Sequence, residues 1–130
     1  MQVSGLFHYT LRCDESQLQT LKDFYERALG LVPGARPQLR FPGWWLYANG
    51  QPLVHLYASG EVPPGGRTAL DHIAFSGVDL QATRKRLAGH GIDFTEAPVP
   101  GWPLHQVFIF DPTGLRIELT FGLENPAPTT

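Results

Sequence analysis

The chain has 130 residues, 42% of them hydrophobic and 17% charged, which is enough apolar material for a core and too little charge for a disordered tail. Ten Lys and Arg against twelve Asp and Glu give a net charge of -2, which argues against nucleic-acid binding, where a basic excess gathers on one face. No apolar run reaches the roughly 20 residues a membrane span needs, Met1–Gly5 shows no basic start followed by a long apolar stretch, and the one cysteine, Cys13, has no internal partner, so a cytoplasmic protein is expected.

In chain order, Leu6 to Leu11 is a short apolar and aromatic run suited to a strand. Asp14 then offers an N-cap, with Gln17 three residues on as its capping-box partner. Leu18, Leu21, Tyr25, Ala28 and Leu29 follow at helical spacing, and Gly30 sits where a C-cap glycine belongs. Three strands are expected next, around Gln38–Phe41, Trp44–Ala48 and Leu53–Tyr57, the last two joined by a turn at Asn49–Gly50. A connector rich in Gly and Pro is expected over 59–69.

The order then repeats. Leu70 to Phe75 reads as a strand, Asp79 caps a helix carrying Leu80, Thr83, Leu87 and Ala88, and Gly91 ends it. Strands near Ile92–Glu96, His105–Phe110 and Leu115–Phe121 complete the half, the last two joined by Asp111-Pro112-Thr113-Gly114. Residues 124–130 read as a flexible tail. Each half is therefore βαβββ. The expected class is α+β, with paired modules over 6–58 and 70–121 forming one domain over 1–123, a curved mixed sheet with helices on its convex side.

Polar residues inside the strands give the repeat chemical content. His8 and His72 fall in the first strands of the two halves, and His55 and Glu118 in the fourth. Their separations, 55 − 8 = 47 and 118 − 72 = 46, nearly match. Alternation along a strand puts His55 opposite Val54 and Leu56, and Glu118 opposite Ile117 and Leu119. With the apolar faces packed on helices, His8, His55, His72 and Glu118 are expected to converge on the other face. Any one of them alone reads as an ordinary strand residue. Three imidazoles and a carboxylate in matched positions suit one divalent transition metal.

The stretches His8-Tyr9-Thr10-Leu11-Arg12, Phe24-Tyr25 with Leu29-Gly30-Leu31, Asp71-His72-Ile73-Ala74-Phe75, and Phe110-Asp111-Pro112-Thr113-Gly114 with Glu118 carry a resemblance. The chain resembles the vicinal oxygen chelate superfamily, which includes glyoxalase I, extradiol dioxygenases, fosfomycin-resistance thiol transferases and bleomycin-resistance proteins. The resemblance covers about residues 6 to 121. It implies a paired βαβββ fold with metal ligands on the first and fourth strands of each module. It also implies open metal positions where a bidentate oxygen substrate chelates, and a homodimer whose two sites each take His8 and His55 from one chain and His72 and Glu118 from the other.

Within that group the residues discriminate. Extradiol dioxygenases carry a Tyr ten residues before the glutamate ligand; here that position is Phe108, and His105 lies on the opposite strand face by parity. A fourth protein ligand at His55 would also fill a position that catecholate and dioxygen need. The fosfomycin thiol transferases likewise favour a Tyr at position 108 and a basic residue after the glutamate, and both are missing here. Glyoxalase I fits better. Arg12 matches an arginine that helps hold glutathione, and Glu118 matches the ligand that exchanges protons, although many glyoxalases place a second carboxylate where His55 stands.

The expected function is thus a metal-dependent lyase or isomerase of glyoxalase type, using Zn, Ni, Mn or Fe and with glutathione possible, acting on a small oxygenated substrate. Glu118 is the catalytic residue, and Arg12, Tyr57, Phe108 and Trp102 line the substrate. The alternatives are an Fe(II)-dependent ring-cleaving dioxygenase and a non-catalytic binding protein for an aromatic compound. His90, at a helix C-terminus, is read as a favourable charge there, and Cys13, just before a helix start, as somewhat acidic with no base beside it.

Overall fold

The computed structural model describes residues 1–2, 5–60 and 72–123. Nearly all of the expected connector, the whole of the 124–130 tail and Asp71 lie outside those residues. The chain divides into two compact units, Met1–Pro64 and Gly65–Thr130.

Unit 1 contains β1 (Tyr9–Cys13), α1 (Leu18–Leu29), β2 (Val32–Pro33), β3 (Gly43–Ala48) and β4 (Gln51–Ala58), with sheet order β1-β4-β3-β2. The Asp14–Gln17 capping box forms on a single 3-10 turn that leads into α1. At the other end Gly30 adopts φ 67, its N–H bonds to the Glu26 carbonyl and Leu31 N–H reaches back to Tyr25, a Schellman closure that needs a residue tolerant of the left-handed region. Leu21, Phe24, Tyr25 and Ala28 are the buried stripe of α1, facing Leu46, Val54, Leu56 and Cys13 of the sheet. Tyr9 Oη bonds Tyr25 Oη at 2.9 Å, which fixes Tyr9, Leu11 and Cys13 to the helix side. At the β3–β4 turn, Asn49 and Gly50 have φ of 50 and 75, both positive as a two-residue type I′ hairpin requires.

Two strand positions differ from expectation. Residues 38–41 are not a strand. The outer edge of β3 is taken by the chain leaving α1: Val32 and Pro33 pair with Tyr47 and Leu46, Gly34 N–H bonds Trp45 O and Tyr47 Oη donates to Ala35 O. The remainder, 35–42, closes as a loop in which Arg36 Nη2 donates to Phe41 O. Strand β1 starts at Tyr9 rather than Leu6, leaving Leu6 and Phe7 exposed. It runs parallel to β4 from Tyr9↔Val54, and Pro52, one step back on that face, has no N–H with which to extend the ladder.

Unit 2 repeats the plan with β5 (His72–Gly77), α2 (Leu80–Gly89), β6 (Thr95–Pro98), β7 (Leu104–Phe110) and β8 (Arg116–Gly122), in the order β5-β8-β7-β6. The Asp79 carboxylate caps α2 by accepting from Ala82 N–H at 3.0 Å. Of the apolar positions expected to bury, only Leu87 does; Ala88 is exposed. Charge supplements this thin apolar contact: Arg84 bonds Glu96 of β6 through Nε and Nη2, and His105 Nε2 of β7 lies 2.8 Å from the same carboxylate. Strand β6 begins three residues later than expected because Ile92 N–H is still bonded to Leu87 O at the end of α2. The two units thus share one plan: a four-stranded mixed sheet with a helix on one face.

Candidate functional site

The side chains expected to carry chemistry lie on the sheet faces turned away from the helices. In unit 1 that face holds Thr10 and Arg12 of β1, Trp45 of β3, and His55 and Tyr57 of β4, with His8 just before β1. Parallel pairing sets Thr10 beside His55 and Arg12 beside Tyr57. Antiparallel pairing sets Trp45 beside His55 on its other side.

His55 is the centre of a three-ring stack. His8 lies against it with centroids 3.8 Å apart and planes 11° apart, and Trp45 covers its other face at 4.0 Å and 10°. The stack leaves His55 only 7% exposed. Its Nε2 lies 3.1 Å from the Pro52 carbonyl. A carbonyl only accepts, so Nε2 carries the proton and Nδ1 keeps the lone pair. Burial lowers the pKa of His55; the charges of His8 and Arg36 lower it further, and the Pro52 bond only partly opposes them. A neutral imidazole with its tautomer fixed from behind is the state a metal requires. The partner ring contributes an orphan: His8 Nδ1 is buried without a hydrogen-bond partner among the described residues.

In unit 2 the corresponding face holds His72, Ala74 and Ser76 of β5, Arg116, Glu118 and Thr120 of β8, and Gln106, Phe108 and Phe110 of β7. His72 Nε2 and Glu118 Oε1 are 3.7 Å apart. Two donors at about 2.1 Å from one tetrahedral ion stand about 3.4 Å apart, so a small side-chain adjustment satisfies both. The other carboxylate oxygen, Oε2, accepts from Thr120 Oγ1 at 2.7 Å, which orients Oε1 toward His72. Phe108 is directly opposite Glu118 in the register, and its ring lies 4.2 Å beneath the Arg116 guanidinium.

The residues present fit a divalent ion unequally: His72 and Glu118 stand near donor spacing, whereas His8 and His55 lie stacked face to face and must rotate out of the stack before both in-plane lone pairs can meet one ion. Within either unit, no three His, Cys, Asp or Glu among the described residues come together as a metal-holding group. Of the expected substrate contacts, Arg12, Tyr57 and Phe108 share faces with these pairs. Trp102 lies on the β6–β7 loop, 62% exposed. His105 lies on the helix side as parity required, bound to Glu96.

Sequence reasoning left Trp45, Thr120 and Arg36 without roles. The first two were findable: Thr120 is two residues from Glu118 on one strand face, and Trp45 is fixed by the Asn49–Gly50 hairpin register. Cys13 corrects an expectation. It is fully buried, and burial pushes its thiol pKa up, outweighing the backbone hydrogen bond involving Tyr57 that lowers it. It is a core side chain.

Solved structures with this fold share it over nearly their whole length. A candidate glyoxalase family protein from Bacillus anthracis superposes with a TM-score of 0.77 at 19% identity, covering 94% of this chain and 98% of that one. A glyoxylase/bleomycin resistance protein/dioxygenase domain from Frankia sp. EAN1pec gives 0.72 at 22%, covering 95% and 96%. The fosfomycin resistance protein FosX from Listeria monocytogenes gives 0.70 at 18%, covering 95% and 97%. No curated protein sequence matches the chain. The family profile matches residues 5–119, nearly the whole chain, and with the two βαβββ units it decides membership: the chain belongs to the Glyoxalase/Bleomycin resistance protein/Dioxygenase superfamily.

Proposed function

We propose that the protein is a metal-dependent lyase or isomerase of glyoxalase type. In this reading residues 1–123 act as one domain built from modules 6–58 and 70–121. His8, His55, His72 and Glu118 hold one divalent ion, Zn, Ni, Mn or Fe. When bound, the ion supplies Lewis-acid stabilisation to the oxygens of a small chelating substrate. The chain supplies the rest. Glu118 takes and returns the proton alpha to the carbonyl, the Thr120 hydroxyl holds its far oxygen, and Phe108 and Tyr57 offer apolar walls that exclude water. Arg12 stands one row beyond His55 for a polar substituent, glutathione among the candidates, and Trp102 closes over the substrate from its loop.

The observation carrying this reading is the His72–Glu118 pair, two donors 3.7 Å apart with the carboxylate oriented by Thr120. Metal analysis of protein purified without chelators or a metal-binding tag tests it. The wild type retains one ion per site, His72→Ala loses it and His90→Ala keeps it; equal loss from both variants refutes the ligand set. Glu118→Gln keeps more metal than activity, because an amide oxygen still coordinates weakly but takes no proton. Full activity in Glu118→Gln refutes the proton-transfer role.

The proposal includes a cytoplasmic homodimer, its two sites shared between chains. A lone buried thiol supports the compartment, and two half-sites of two donors each support the sharing. Mixing inactive His8→Ala chains with inactive Glu118→Ala chains then restores one intact site per mixed dimer. A monomer in sedimentation, or no regained metal, refutes the sharing.

A further inference from the structure

The loop over 35–42 brings one residue onto the face of unit 1 that carries His8 and His55. Arg36 Nη2 donates to Phe41 O at 2.8 Å, while its Nε is buried and has no partner among the described residues. A Cβ built on Gly43 would run into the Leu56 carbonyl oxygen and would also come 2.9 Å from Arg36 Nη2, so the guanidinium lies against the start of β3 where only glycine leaves room. Gly43 stands opposite Tyr57 in the register and two residues before Trp45 on the same strand. Arg36 is also close enough for its charge to oppose protonation of His55.

Among the described residues that cation has no counterion. Residues 31–60 contain no Asp or Glu, and no carboxylate pairs with Arg36 among the described residues. A guanidinium has five N–H donors, and a partly buried charge with a buried unmet donor is costly unless something answers it. Stapling the loop through Phe41 O uses a single N–H and no charge. Nothing else among the described residues of the unit answers the charge or the orphaned Nε–H. Across the sheet Arg12 stands beside Tyr57 from the opposite side, so two arginines straddle one tyrosine. Tyr57 follows His55 by two residues on one strand face, which sets this row about 7 Å from the His55 row.

We infer that Arg36 is an anion-recognition residue and that the substrate carries a carboxylate or phosphoryl group about 7 Å from its reacting oxygens. The inference rests on the reading of this face as the substrate face, and it narrows the substrate to small organic anions. The segment between the two ends is apolar or aromatic, since it crosses Tyr57, whose ring packs edge-on against Phe41 at 5.1 Å.

The test uses metal-stripped full-length protein and three phenyl probes: benzoate, its neutral isostere benzamide, and phenylphosphonate. Binding is followed by titration calorimetry and by the arginine Nε–Hε resonances in ¹⁵N-correlation spectra, with Arg36→Gln assigning the peak. Benzoate or phenylphosphonate is expected to shift the Arg36 Nε–H signal and to bind at least roughly tenfold more tightly than benzamide. The tighter of the two anions identifies the acidic group. Arg36→Gln should lose that advantage, Arg36→Lys should retain part of it through charge alone, and Arg40→Gln, on the same loop, should keep it all. Equal binding of benzamide, no binding of either anion, or full benzoate affinity in Arg36→Gln overturns the inference. If Arg36→Gln fails to fold, as judged from its spectrum, Arg36→Lys decides: benzoate and phenylphosphonate affinities unchanged from wild type overturn it. Because the measurement is made without metal and repeated in His72→Ala, it fails or succeeds separately from the metal reading.

Discussion

Replacing Asp111 by Ala would disable the clamp that sets the β7–β8 register. Asp111 is 4% exposed, and its Oδ1 accepts from Thr113 N–H at 2.7 Å, Thr113 Oγ1 at 2.6 Å and Leu115 N–H at 3.1 Å. Its own backbone closes the loop as well, with Asp111 N–H to Leu115 O and Gly114 N–H to Asp111 O. Alanine leaves the backbone bonds and removes all three side-chain ones. The hydroxyl of Thr113 rotates toward water, so two backbone donors decide the cost. Of these, Leu115 N–H is in buried surroundings and goes unmet at about 1–3 kcal/mol, while Thr113 N–H recovers part of its bond from solvent. The expected loss is about 2–4 kcal/mol. Asparagine keeps an oxygen in place and gives up charge assistance, so Asp111→Asn should lose about 1 kcal/mol. Urea unfolding measures both, with the midpoint moving and the slope unchanged. If Asp111→Ala loses less than about 0.5 kcal/mol, the backbone bonds alone hold the hairpin and the clamp argument is wrong. The functional consequence is testable in the same protein, because this hairpin sets Phe108 opposite Glu118.

Thr120→Val is nearly isosteric and removes the bond to Glu118 Oε2; it should weaken metal retention by about 10–100-fold with little change in unfolding midpoint, and unchanged retention would show that Thr120 does not orient the carboxylate. Glu96 is held below the usual carboxylate range, first by its bond from Arg84 and then by His105. A depressed folded pKa contributes stability that is present above the unfolded value near 4.5 and is lost as pH falls through the folded value. Glu96→Gln should therefore be less stable than wild type at pH 7, with the two converging in acid, and the gap should shrink in high salt because the group is exposed. A gap that stays constant down to pH 2 would show that charge at Glu96 contributes nothing.

Local signals in the sequence were read correctly where the structure is decided locally. The Asp14–Gln17 box, the Gly30 closure, the Asp79 cap and the Asn49–Gly50 turn each depend on residues within a few positions of one another. Strand parity also assigned the faces of His55 and Glu118, because alternation is a property of one strand. The strand expected at Gln38–Phe41 failed for a non-local reason: Val32–Gly34 had already taken the only open edge of β3. The same limit hid Arg36, whose place over Gly43 depends on a loop folding back across the sheet. It also hid the Arg84–Glu96–His105 cluster, drawn from three separate elements. The ring stack on His55 was beyond reach too, since parity gives a side and not a distance.

The parallel pairs in both units carry a consequence for the order of assembly. Strand β1 meets β4 at Tyr9↔Val54, 54 − 9 = 45 residues away, and β5 meets β8 at His72↔Arg116, 116 − 72 = 44 residues away. The hairpins β3–β4 and β7–β8 close over short loops and can form in microseconds, whereas the parallel partner must wait for a long chain segment to be enclosed. His8 against His55, and His72 against Glu118, are contacts of that slow class. Each of the proposed donor pairs is thus completed by the final closure of its own sheet, and a chain emerging from the ribosome has no such pair until the last strand of the unit has left the exit tunnel. If these pairs hold metal as proposed, connectivity alone discourages capture of an ion by half-made chains.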